Sequence, residues 1–347
     1  MKAVGYKTSL PITEANSLVD FDAPKPEPTG RDIRVAVKAV SVNPVDTKQR
    51  NPKGKTGSEV ADLSGKGPRV LGFDAAGTVH QVGSAVTLFK TGDRVYYAGD
   101  VTRPGSDSEY HAVDERIVGH MPASLSFSQA AALPLTAITA WEALFDRLRV
   151  PAPPHAQPRK SILLIGGAGG VGSIAIQLAA RVAGLRVIAT ASRPASAQWC
   201  RDLGAELVVD HFGDLVGQVR AAGFQHVDYV LIMNSTDQHL PAAAELVAPQ
   251  GGICTIVENS APLDLTPLKS KSAAFVWEFM FTRAMYTTPD MIEQHYLLSE
   301  IARLIDAGVL RTTVAEVLKP INAANLRQAH ATLEAGRAIG KIVLEGF

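Results

Sequence analysis

A glycine-rich turn between an apolar strand and an amphipathic helix carries the strongest chemical signal in this sequence. The apolar run at residues 162–165 is followed by glycines with the spacing G-x-G-x-x-G. A turn without side chains lets the backbone approach a pyrophosphate, and the first turn of the following helix offers unpaired N–H groups. A tight turn without a ligand is the alternative. We predict a dinucleotide site formed by Gly167, Gly169, Gly170, Val171 and Gly172.

The identity of the dinucleotide depends on the residues about 20 positions beyond these glycines. Counting from Gly172 leads to Ser192 and then Arg193, with no carboxylate to accept a hydrogen bond from a ribose 2′-hydroxyl. A hydroxyl and a forked guanidinium suit a 2′-phosphate instead. His211, at the end of the third predicted strand, could also face that phosphate. We therefore predict NADPH rather than NADH, although Arg193 could instead be a solvated residue ahead of the helix that begins at Pro194.

Strands and helices alternate through the middle of the chain. This alternation predicts a parallel sheet covered by helices and an α/β fold class. The first third is instead rich in short strands separated by glycine turns, which predicts a compact, barrel-like β domain. The predicted strands of the two regions are residues 33–40, 70–82, 94–97, 162–165, 186–191, 206–210, 227–233 and 252–257.

Three further segments complete this outline. Residues 289–307 have the periodicity of an amphipathic helix. The polar, glycine-rich residues 51–68 predict a surface loop, and the proline-rich residues 151–158 predict a loop or short linker.

The segment 274–281 is unusually aromatic and could add a sixth strand to the parallel sheet. A strand would place Phe275, Trp277, Phe279 and Phe281 on one face. Such a face suits a flat acceptor pocket or a subunit interface, where aromatic residues concentrate. We favour the interface for part of this face and leave the pocket open.

Composition excludes several classes of protein. Of the 347 residues, 34 are Lys or Arg and 34 are Asp or Glu. This charge balance argues against electrostatic binding of nucleic acid or of an anionic membrane over a large surface. The apolar runs are too short to span a bilayer, and residues 1–10 contain no apolar stretch typical of a secretory signal. The two cysteines, Cys200 and Cys254, do not suggest a disulfide framework. We therefore expect a cytoplasmic protein.

The order of a β-rich domain, a dinucleotide domain and a return to short strands resembles the medium-chain dehydrogenase/reductase superfamily. More narrowly, it is similar to the quinone oxidoreductase branch and the related zinc-type alcohol dehydrogenase-like proteins. The resemblance implies a GroES-like catalytic domain at residues 1–128 and 283–347, a Rossmann domain with a doubly wound parallel sheet at residues 129–282, and a homodimer. It rests on the glycine turn and on residues 41–46, 72–77, 92–95, 134–141 and 340–344.

The resemblance also bears on zinc. In zinc-dependent members, the catalytic ligands are a cysteine at the place of Asn43, a histidine at the place of Phe73 and a cysteine near the place of Leu135. A catalytic zinc needs about three protein ligands of the N, S or O type. The nine histidines show no metal-binding spacing, and the cysteine-rich structural zinc lobe is absent. We therefore predict a metal-free member in which Phe73 is a core or pocket-wall aromatic.

Hydride transfer without zinc needs an acceptor that is already electrophilic and a proton for the product. Asn43 could donate to the substrate carbonyl or to a ribose hydroxyl, and Tyr97 is a candidate donor, although a packing role for the tyrosine is equally open. Asp46 is expected to hold its loop by accepting backbone hydrogen bonds. The resemblance places Thr139 and Lys341 near the cofactor, whereas Thr139 could simply lie inside a helix and Lys341 could be solvated.

These residues together predict an NADPH-dependent, zinc-independent reductase of quinones or activated enones. Two alternatives remain open at this point. One is a zinc-type alcohol dehydrogenase with atypical ligands, and the other is a protein that binds NADPH without catalysis.

Overall fold

The computed structural model describes residues 1–50, 67–151 and 159–347, which form two compact units. Unit 1 comprises Met1–Ile138 and Phe281–Phe347, and unit 2 comprises Thr139–Met280. The sequence placed the first boundary after residue 128, whereas the structure places it ten residues later (138 − 128), after Ile138. Most of the predicted loop 51–68 and of the predicted linker 151–158 lies outside the described residues.

The regular elements follow the expected alternation. The strands are β1 (Lys2–Tyr6), β2 (Val19–Asp22), β3 (Asp32–Ser41), β4 (Arg69–Val70), β5 (Ala75–Val82), β6 (Arg94–Tyr97), β7 (Tyr110–Asp114), β8 (Val118–His120), β9 (Ser161–Ile165), β10 (Arg186–Thr190), β11 (Leu207–Val209), β12 (Val227–Ile232), β13 (Val247–Thr255), β14 (Ala274–Trp277), β15 (Val314–Leu318) and β16 (Lys341–Glu345). The α-helices are α1 (Pro44–Arg50), α2 (Phe127–Ala131), α3 (Pro134–Trp141), α4 (Gly170–Gln177), α5 (Pro194–Leu203), α6 (Leu215–Ala221), α7 (Thr236–Leu246), α8 (Thr266–Lys269), α9 (Thr282–Met285), α10 (Glu293–Asp306) and α11 (Ala323–Glu334).

Unit 1 is built on two β-sheets. The larger has the order β15-β16-β3-β5-β6-β8, with β7 paired to β3, and the smaller has the antiparallel order β2-β1-β4. The long strand β3 lies between β5 and β16, so most of its residues are buried. Because β16 pairs antiparallel with the end of β3, the last strand of the chain lies beside residues 39–41. This pairing positions the polar cluster described below.

Unit 2 is a six-stranded parallel sheet with the order β11-β10-β9-β12-β13-β14. Numbered within the unit, this order is 3-2-1-4-5-6, the doubly wound arrangement of dinucleotide-binding folds. The strand order reverses between β9 and β12, and ligands bind such sheets outside the carboxyl ends of the strands at that point. The fold class predicted from the sequence is confirmed.

The aromatic segment differs from its prediction. Strand β14 ends at Trp277, so residues 279 and 281 do not continue its face. Trp277 and Phe279 are exposed, whereas Phe281 is buried in unit 1, where its ring meets that of Phe73 edge to face at 5.5 Å. The predicted single aromatic face is therefore wrong, because the strand is shorter than the alternating pattern indicated. Phe73 itself is a core residue, as expected.

Among the described residues, no helix combines the length and the apolar character needed to cross a membrane.

Unit 2 contains a buried pair of carboxyl groups. Glu142 and Glu278 are both buried beside Arg147, whose guanidinium donates to Glu278 at 2.8 Å and lies 3.9 Å from the Glu142 carboxylate. Burial, with a smaller contribution from Glu142, raises the pKa of Glu278 to about 9. Because the pKa of Glu278 lies above 7, the pair holds a proton at neutral pH.

This proton makes stability fall as the pH rises. The unfolded protein releases this proton near the ordinary glutamate pKa of 4.5, whereas the folded protein releases it near pH 9. Between these two values, the free energy of unfolding therefore falls by about 1.4 kcal/mol for each pH unit. The buried His111 and His330, with pKa values lowered by burial to about 4 and 3, titrate below pH 6.5. We therefore expect the melting temperature to fall from pH 6.5 to 9.

The substitution Glu278→Gln should make this slope smaller, because the variant loses the proton of Glu278, while Asp46, whose pKa burial raises to about 7, still contributes at the lower end of the range. Thermal unfolding at several pH values measures the slope. Glu206→Gln is the matched control in the same unit, since Arg186 lowers the pKa of Glu206 and leaves it ionised throughout this range. Equal slopes for the wild type and Glu278→Gln would contradict the shared proton.

Candidate functional site

The glycine turn of unit 2 joins β9 to α4 at the carboxyl edge of the sheet. Gly166 has φ of +95°, in the left-handed region that favours glycine. The turn is tied to the end of β10, because Thr190 accepts from the Gly167 amide through its carbonyl and from the Gly166 amide through its hydroxyl, both at 3.0 Å. Gly169 is the N-cap of α4 and offers no side chain to cap it. Among the described residues, no side chain caps the first amides of α4, which is what an anion site requires.

Ser192 and Arg193 follow β10 at the same edge, and both are exposed. The Arg193 backbone is fixed as the N-cap of α5, because its amide donates to the Ser196 hydroxyl at 3.2 Å and its carbonyl accepts from that hydroxyl at 2.9 Å. Pro194 then begins the helix, as the sequence indicated. These bonds fix the position of the Arg193 backbone beside the strand end.

His211 follows β11 and is half-buried. Its ring lies 6.2 Å from that of the buried His239 in α7, and burial lowers the pKa of His211. Its Nδ1 atom is buried without a hydrogen-bond partner in the described part of the chain. A polar atom in that state is a reasonable contact for a ligand.

Asn234 is a residue that sequence reasoning missed. It follows β12, on the other side of the point where the strand order reverses, and its Oδ1 atom is buried without a partner among the described residues. A Cβ on Gly166 would lie 3.5 Å from this atom, so Asn234 adjoins the glycine turn. The only feature of the sequence that could have marked Asn234 as a site residue is its position directly after a predicted strand.

Thr139 lies inside α3 and is 4% exposed, and it is the first residue of unit 2. Its predicted contact with the cofactor stays a prediction.

Unit 1 brings Asn43, Asp74 and Lys341 together in a buried cluster. Asp74 accepts from Asn43 Nδ2 at 2.8 Å, from Lys341 Nζ at 3.1 Å and from the Ser41 hydroxyl at 2.9 Å through Oδ2. Its other oxygen, Oδ1, accepts from the Leu135 amide at 2.7 Å. Lys341 also donates to the Val42 carbonyl at 2.8 Å and to Asn43 Oδ1.

The cluster shows where two predicted site residues lie. Asn43 is 1% exposed and Lys341 is 3% exposed, so the solvated alternative for Lys341 is wrong. The three ammonium protons have three acceptors within unit 1, and the Asn43 amide donates to Asp74 and to the Phe73 carbonyl. Neither side chain can contact a cofactor or substrate unless one of these bonds is released. Burial raises the pKa of Asp74 and lowers that of Lys341, and their pairing opposes both shifts.

Asp46 holds the neighbouring loop as predicted. Its carboxylate accepts from the Asn43 amide at 2.7 Å and from the Gly72 amide at 3.0 Å. Burial raises the pKa of Asp46 to about 7, and these two bonds together with Lys341 oppose the shift. Burial also raises the pKa of Asp107, helped by the charge of Asp46. The unit therefore gathers more buried carboxyl groups than Lys341 alone can neutralise.

Tyr97 is fully buried in unit 1, which raises the pKa of its phenol. Its hydroxyl lies 3.2 Å from Nδ1 of His111, and His111 Nε2 lies 2.9 Å from the Pro104 carbonyl. The carbonyl can only accept, so Nε2 carries the hydrogen of the neutral imidazole and Nδ1 accepts from Tyr97. The tyrosine proton is thus directed to a histidine inside the unit.

Comparison with known proteins places these features in a family. The zinc-binding dehydrogenase family matches residues 203–344, and the alcohol dehydrogenase GroES-like domain matches residues 29–140. A zinc-type alcohol dehydrogenase-like protein of Staphylococcus aureus is 44% identical over 344 residues, covering 99% of each chain. The chain belongs to the medium-chain dehydrogenase/reductase superfamily.

Solved structures agree with this membership. A putative zinc-dependent alcohol dehydrogenase from Rhizobium etli is 51% identical with a TM-score of 0.93, and the match covers 100% of this chain and 98% of that one. A quinone oxidoreductase from Escherichia coli in complex with NADPH is 25% identical with a TM-score of 0.81, covering 99% and 100%. As a superfamily member, the chain is an oxidoreductase that binds a nicotinamide cofactor.

The residues present do not form the zinc site that the names of several relatives imply. The positions to which the resemblance assigns the three catalytic ligands hold Asn43, whose amide is used within the cluster, and Phe73 and Leu135, whose side chains contain no ligand atom. The carboxylate of Asp74 is paired with an ammonium rather than open to a metal. Across residues 1–50, 67–151 and 159–347, no group of three or more His, Cys, Asp or Glu side chains could hold a metal ion.

Proposed function

We propose that this protein is an NADPH-dependent, zinc-independent reductase of quinones or activated enones. The observation that carries the proposal is the content of positions 43, 73 and 135, where an amide, a phenyl ring and an isobutyl group stand in place of metal ligands. A reductase without a Lewis acid is suited to acceptors that are already electrophilic. Quinones and α,β-unsaturated carbonyls meet this condition better than simple ketones or alcohols.

The cofactor part of the proposal rests on unit 2. The uncapped start of α4 suits the pyrophosphate, and Ser192 and Arg193 suit a 2′-phosphate. When bound there, NADPH supplies a hydride. At the same edge of the sheet, His211 Nδ1 and Asn234 Oδ1 have no hydrogen-bond partner within the described part of the chain. The NADPH complex of the related Escherichia coli quinone oxidoreductase supports this choice of cofactor.

The reduced product needs a proton, and Tyr97 is our proposed donor. Its hydroxyl would turn from His111 and give its proton to the product, and the resulting phenolate would take up a proton from solvent before it returns to its hydrogen bond with His111. We expect Tyr97→Phe to lower kcat about 100-fold, within the range of general acid catalysis, with a small change in melting temperature. Steady-state kinetics with a quinone acceptor measure the effect.

The neighbouring tyrosine is the matched control. Tyr96 is also fully buried, but its hydroxyl donates to the Leu298 carbonyl at 2.6 Å, a structural bond. Tyr96→Phe should lower the melting temperature and leave kcat nearly unchanged. If both variants retain wild-type kcat, Tyr97 packs against His111 and another group supplies the proton.

A homodimer and a cytoplasmic location also belong to the proposal. Strand β14 is the outermost strand of its sheet, so one row of its backbone groups can pair with a second copy, and the exposed Trp277 and Phe279 adjoin that edge. Cys200 and Cys254 are both free thiols, which suits a reducing compartment.

Oxidation of NADPH by purified, chelator-treated protein tests the function. The acceptor panel should contain quinones, enones, aldehydes and ketones, and zinc content should be measured on the same sample. Turnover of quinones or enones by zinc-free protein is the expected result. Activity that appears only after zinc is restored, with alcohols or aldehydes, would instead indicate an alcohol dehydrogenase with atypical ligands. Binding of NADPH without turnover of any acceptor would indicate a non-catalytic role.

A further inference from the structure

A chain of hydrogen bonds connects the two helices that flank the glycine turn of unit 2. The indole Nε1 of Trp199, in α5, donates to the Ser173 hydroxyl of α4 at 2.8 Å. That hydroxyl donates in turn to the Gly169 carbonyl at 2.7 Å. Because Gly169 is the N-cap of α4, the chain ends at the residue where the candidate pyrophosphate site begins.

The direction of each hydrogen bond is fixed by the chemistry of the groups at its ends. An indole N–H can only donate, and a backbone carbonyl can only accept. The Ser173 hydroxyl lies between them, so it must accept from Trp199 and donate to Gly169. Its single proton is therefore committed to the N-cap of α4, and the position of that proton depends on the indole.

The stability of α4 alone does not explain a serine at position 173. The side chain is fully buried, and the backbone amide of Ser173 already makes the regular helical bond to the Gly169 carbonyl at 2.9 Å. Alanine has the highest helix propensity, and a serine that bonds back to the carbonyl four residues earlier slightly destabilises its helix. The hydroxyl accordingly serves the contact with α5 rather than the helix that contains it.

Helix α5 carries the other half of the proposed cofactor site. Its N-cap is Arg193, the proposed contact of the 2′-phosphate, and Trp199 lies in the second half of the same helix. The helix also packs against the turn itself, because a Cβ on Gly167 would lie 3.1 Å from the sulfur of Cys200. The bond between Trp199 and Ser173 thus joins the helix at the 2′-phosphate to the helix at the pyrophosphate.

We propose that Trp199 is a positioning residue, which acts through the Ser173 hydroxyl to hold the start of α5 at a fixed distance from the start of α4. A dinucleotide must contact both places at once, since its adenosine ribose and its pyrophosphate are covalently joined. A spacing that is set before binding removes an ordering cost that the cofactor would otherwise meet. The inference rests on the cofactor part of the proposed function, and it concerns the spacing of that site rather than a further contact with the cofactor.

The variants S173A and W199F test this bond from its two ends. Each should weaken NADPH binding roughly 5- to 10-fold, the value of one neutral hydrogen bond, in a titration followed by the fluorescence of the reduced nicotinamide. NADH binding should weaken by the same factor, because both cofactors need both places, so the ratio of the two dissociation constants should stay at its wild-type value. By contrast, 2′-AMP reaches only the 2′-phosphate place, and its affinity as a competitor of NADPH should change less than about twofold.

The double variant W199F/S173A shows whether the two residues act together. If one hydrogen bond carries the effect, the double variant should bind NADPH no more weakly than either single variant, whereas independent residues would multiply their losses. The matched control is W277F, which makes the same change at the exposed tryptophan of β14 in the same unit and should bind NADPH like the wild type. Multiplied losses in the double variant, or wild-type affinity in S173A, would overturn the inference.

A purely structural role of Trp199 would give a different pattern. Loosened packing between α4 and α5 would weaken 2′-AMP together with NADPH and would lower the melting temperature in proportion, and that result would also overturn the inference. The test is separate from that of the proposed function, because binding is measured without an acceptor. Wild-type protein that binds NADH more tightly than NADPH would contradict the proposed cofactor. The same set of variants titrated with NADH would still decide the role of Trp199, since NADH carries the same ribose and pyrophosphate.

Discussion

Gly172→Ala is expected to destroy unit 2 as a folded cofactor site, whereas Gly169→Ala is expected to leave the fold intact and abolish cofactor binding. Both residues belong to the G-x-G-x-x-G turn, so the sequence pattern alone gives them equal weight. In the structure, the two glycines differ in the space that is available for an added methyl group. This contrast makes the pair a direct test of whether the turn holds a ligand.

The Gly172 position has no room for a side chain. A Cβ there would lie 2.4 Å from the Gly166 carbonyl oxygen and 2.5 Å from that of Gly167, and both atoms belong to the backbone of the turn. The helix would have to separate from the strand that precedes it. We expect insoluble protein or a melting temperature lower by more than about 10 °C, since backbone clashes of this kind cost several kcal/mol.

The Gly169 position has room within the protein. A Cβ there would lie 3.6 Å from the Gly166 carbonyl oxygen, an ordinary contact, and its φ of −72° suits alanine. A methyl group would instead stand where a pyrophosphate must approach the backbone. We expect an unchanged melting temperature to within a few degrees and an NADPH dissociation constant at least about 100-fold higher, equivalent to about 2.7 kcal/mol.

Fluorescence titration with NADPH and thermal unfolding of both variants distinguish the outcomes. Wild-type affinity in Gly169→Ala would falsify the assignment of this turn to the pyrophosphate. A folded Gly172→Ala protein that binds NADPH normally would show that the turn can relax around the methyl group.

The sequence predicted unit 2 well because its signals are local. The glycine turn follows its strand directly, and each strand is separated from the next by a helix, so the parallel order needs no long-range information. Besides the shortened β14, one strand departs from its prediction: β13 begins at Val247 rather than at the predicted residue 252. Val247 pairs with Val227 of β12, and the pairing of the two strands then becomes irregular before it resumes at Gly252. The intervening residues 249–252 have the composition of a turn, which is why the sequence placed the start of the strand later. Tertiary pairing thus overrode the local composition.

The polar cluster of unit 1 could not be predicted in the same way. Lys341 and Asn43 are 298 positions apart, and their contact exists because β16 pairs with β3. Sequence reasoning recognised the relevant motifs and the loop-holding role of Asp46, but it assigned Asn43 and Lys341 to ligands outside the unit. A spacing pattern shows which residues are polar, and only the sheet register shows that these two are partners.

Arg193 is expected to determine the preference for NADPH over NADH. Its backbone is held at the start of α5, and its exposed side chain follows β10, where the ribose of a dinucleotide lies in this fold. Charge-assisted hydrogen bonds are worth about 1.5–3 kcal/mol, so Arg193→Gln should weaken NADPH binding roughly 10- to 100-fold. Binding of NADH should change less than about twofold, since it has no 2′-phosphate and each tenfold change requires 1.4 kcal/mol.

Arg201 supplies the matched control, because it is an exposed arginine in the last turn of the same helix. Arg201→Gln changes the net charge by the same amount, so equal effects from the two variants would indicate long-range attraction rather than contact. Loss of NADPH and NADH binding to the same degree in Arg193→Gln would place the guanidinium at the pyrophosphate, which both cofactors share.

Ser192→Asp is the complementary change. A carboxylate at this position would accept a hydrogen bond from the 2′-hydroxyl of NADH and repel the 2′-phosphate of NADPH, so the double variant with Arg193→Gln should prefer NADH. The ratio of the two dissociation constants should shift by more than the 10- to 100-fold expected for Arg193→Gln alone, and the excess measures the coupling between the two neighbouring positions. A cofactor ratio that both substitutions leave unchanged would mean that the 2′-phosphate is recognised elsewhere. The next candidate at this edge is Nδ1 of His211, which has no partner among the residues that the structure describes.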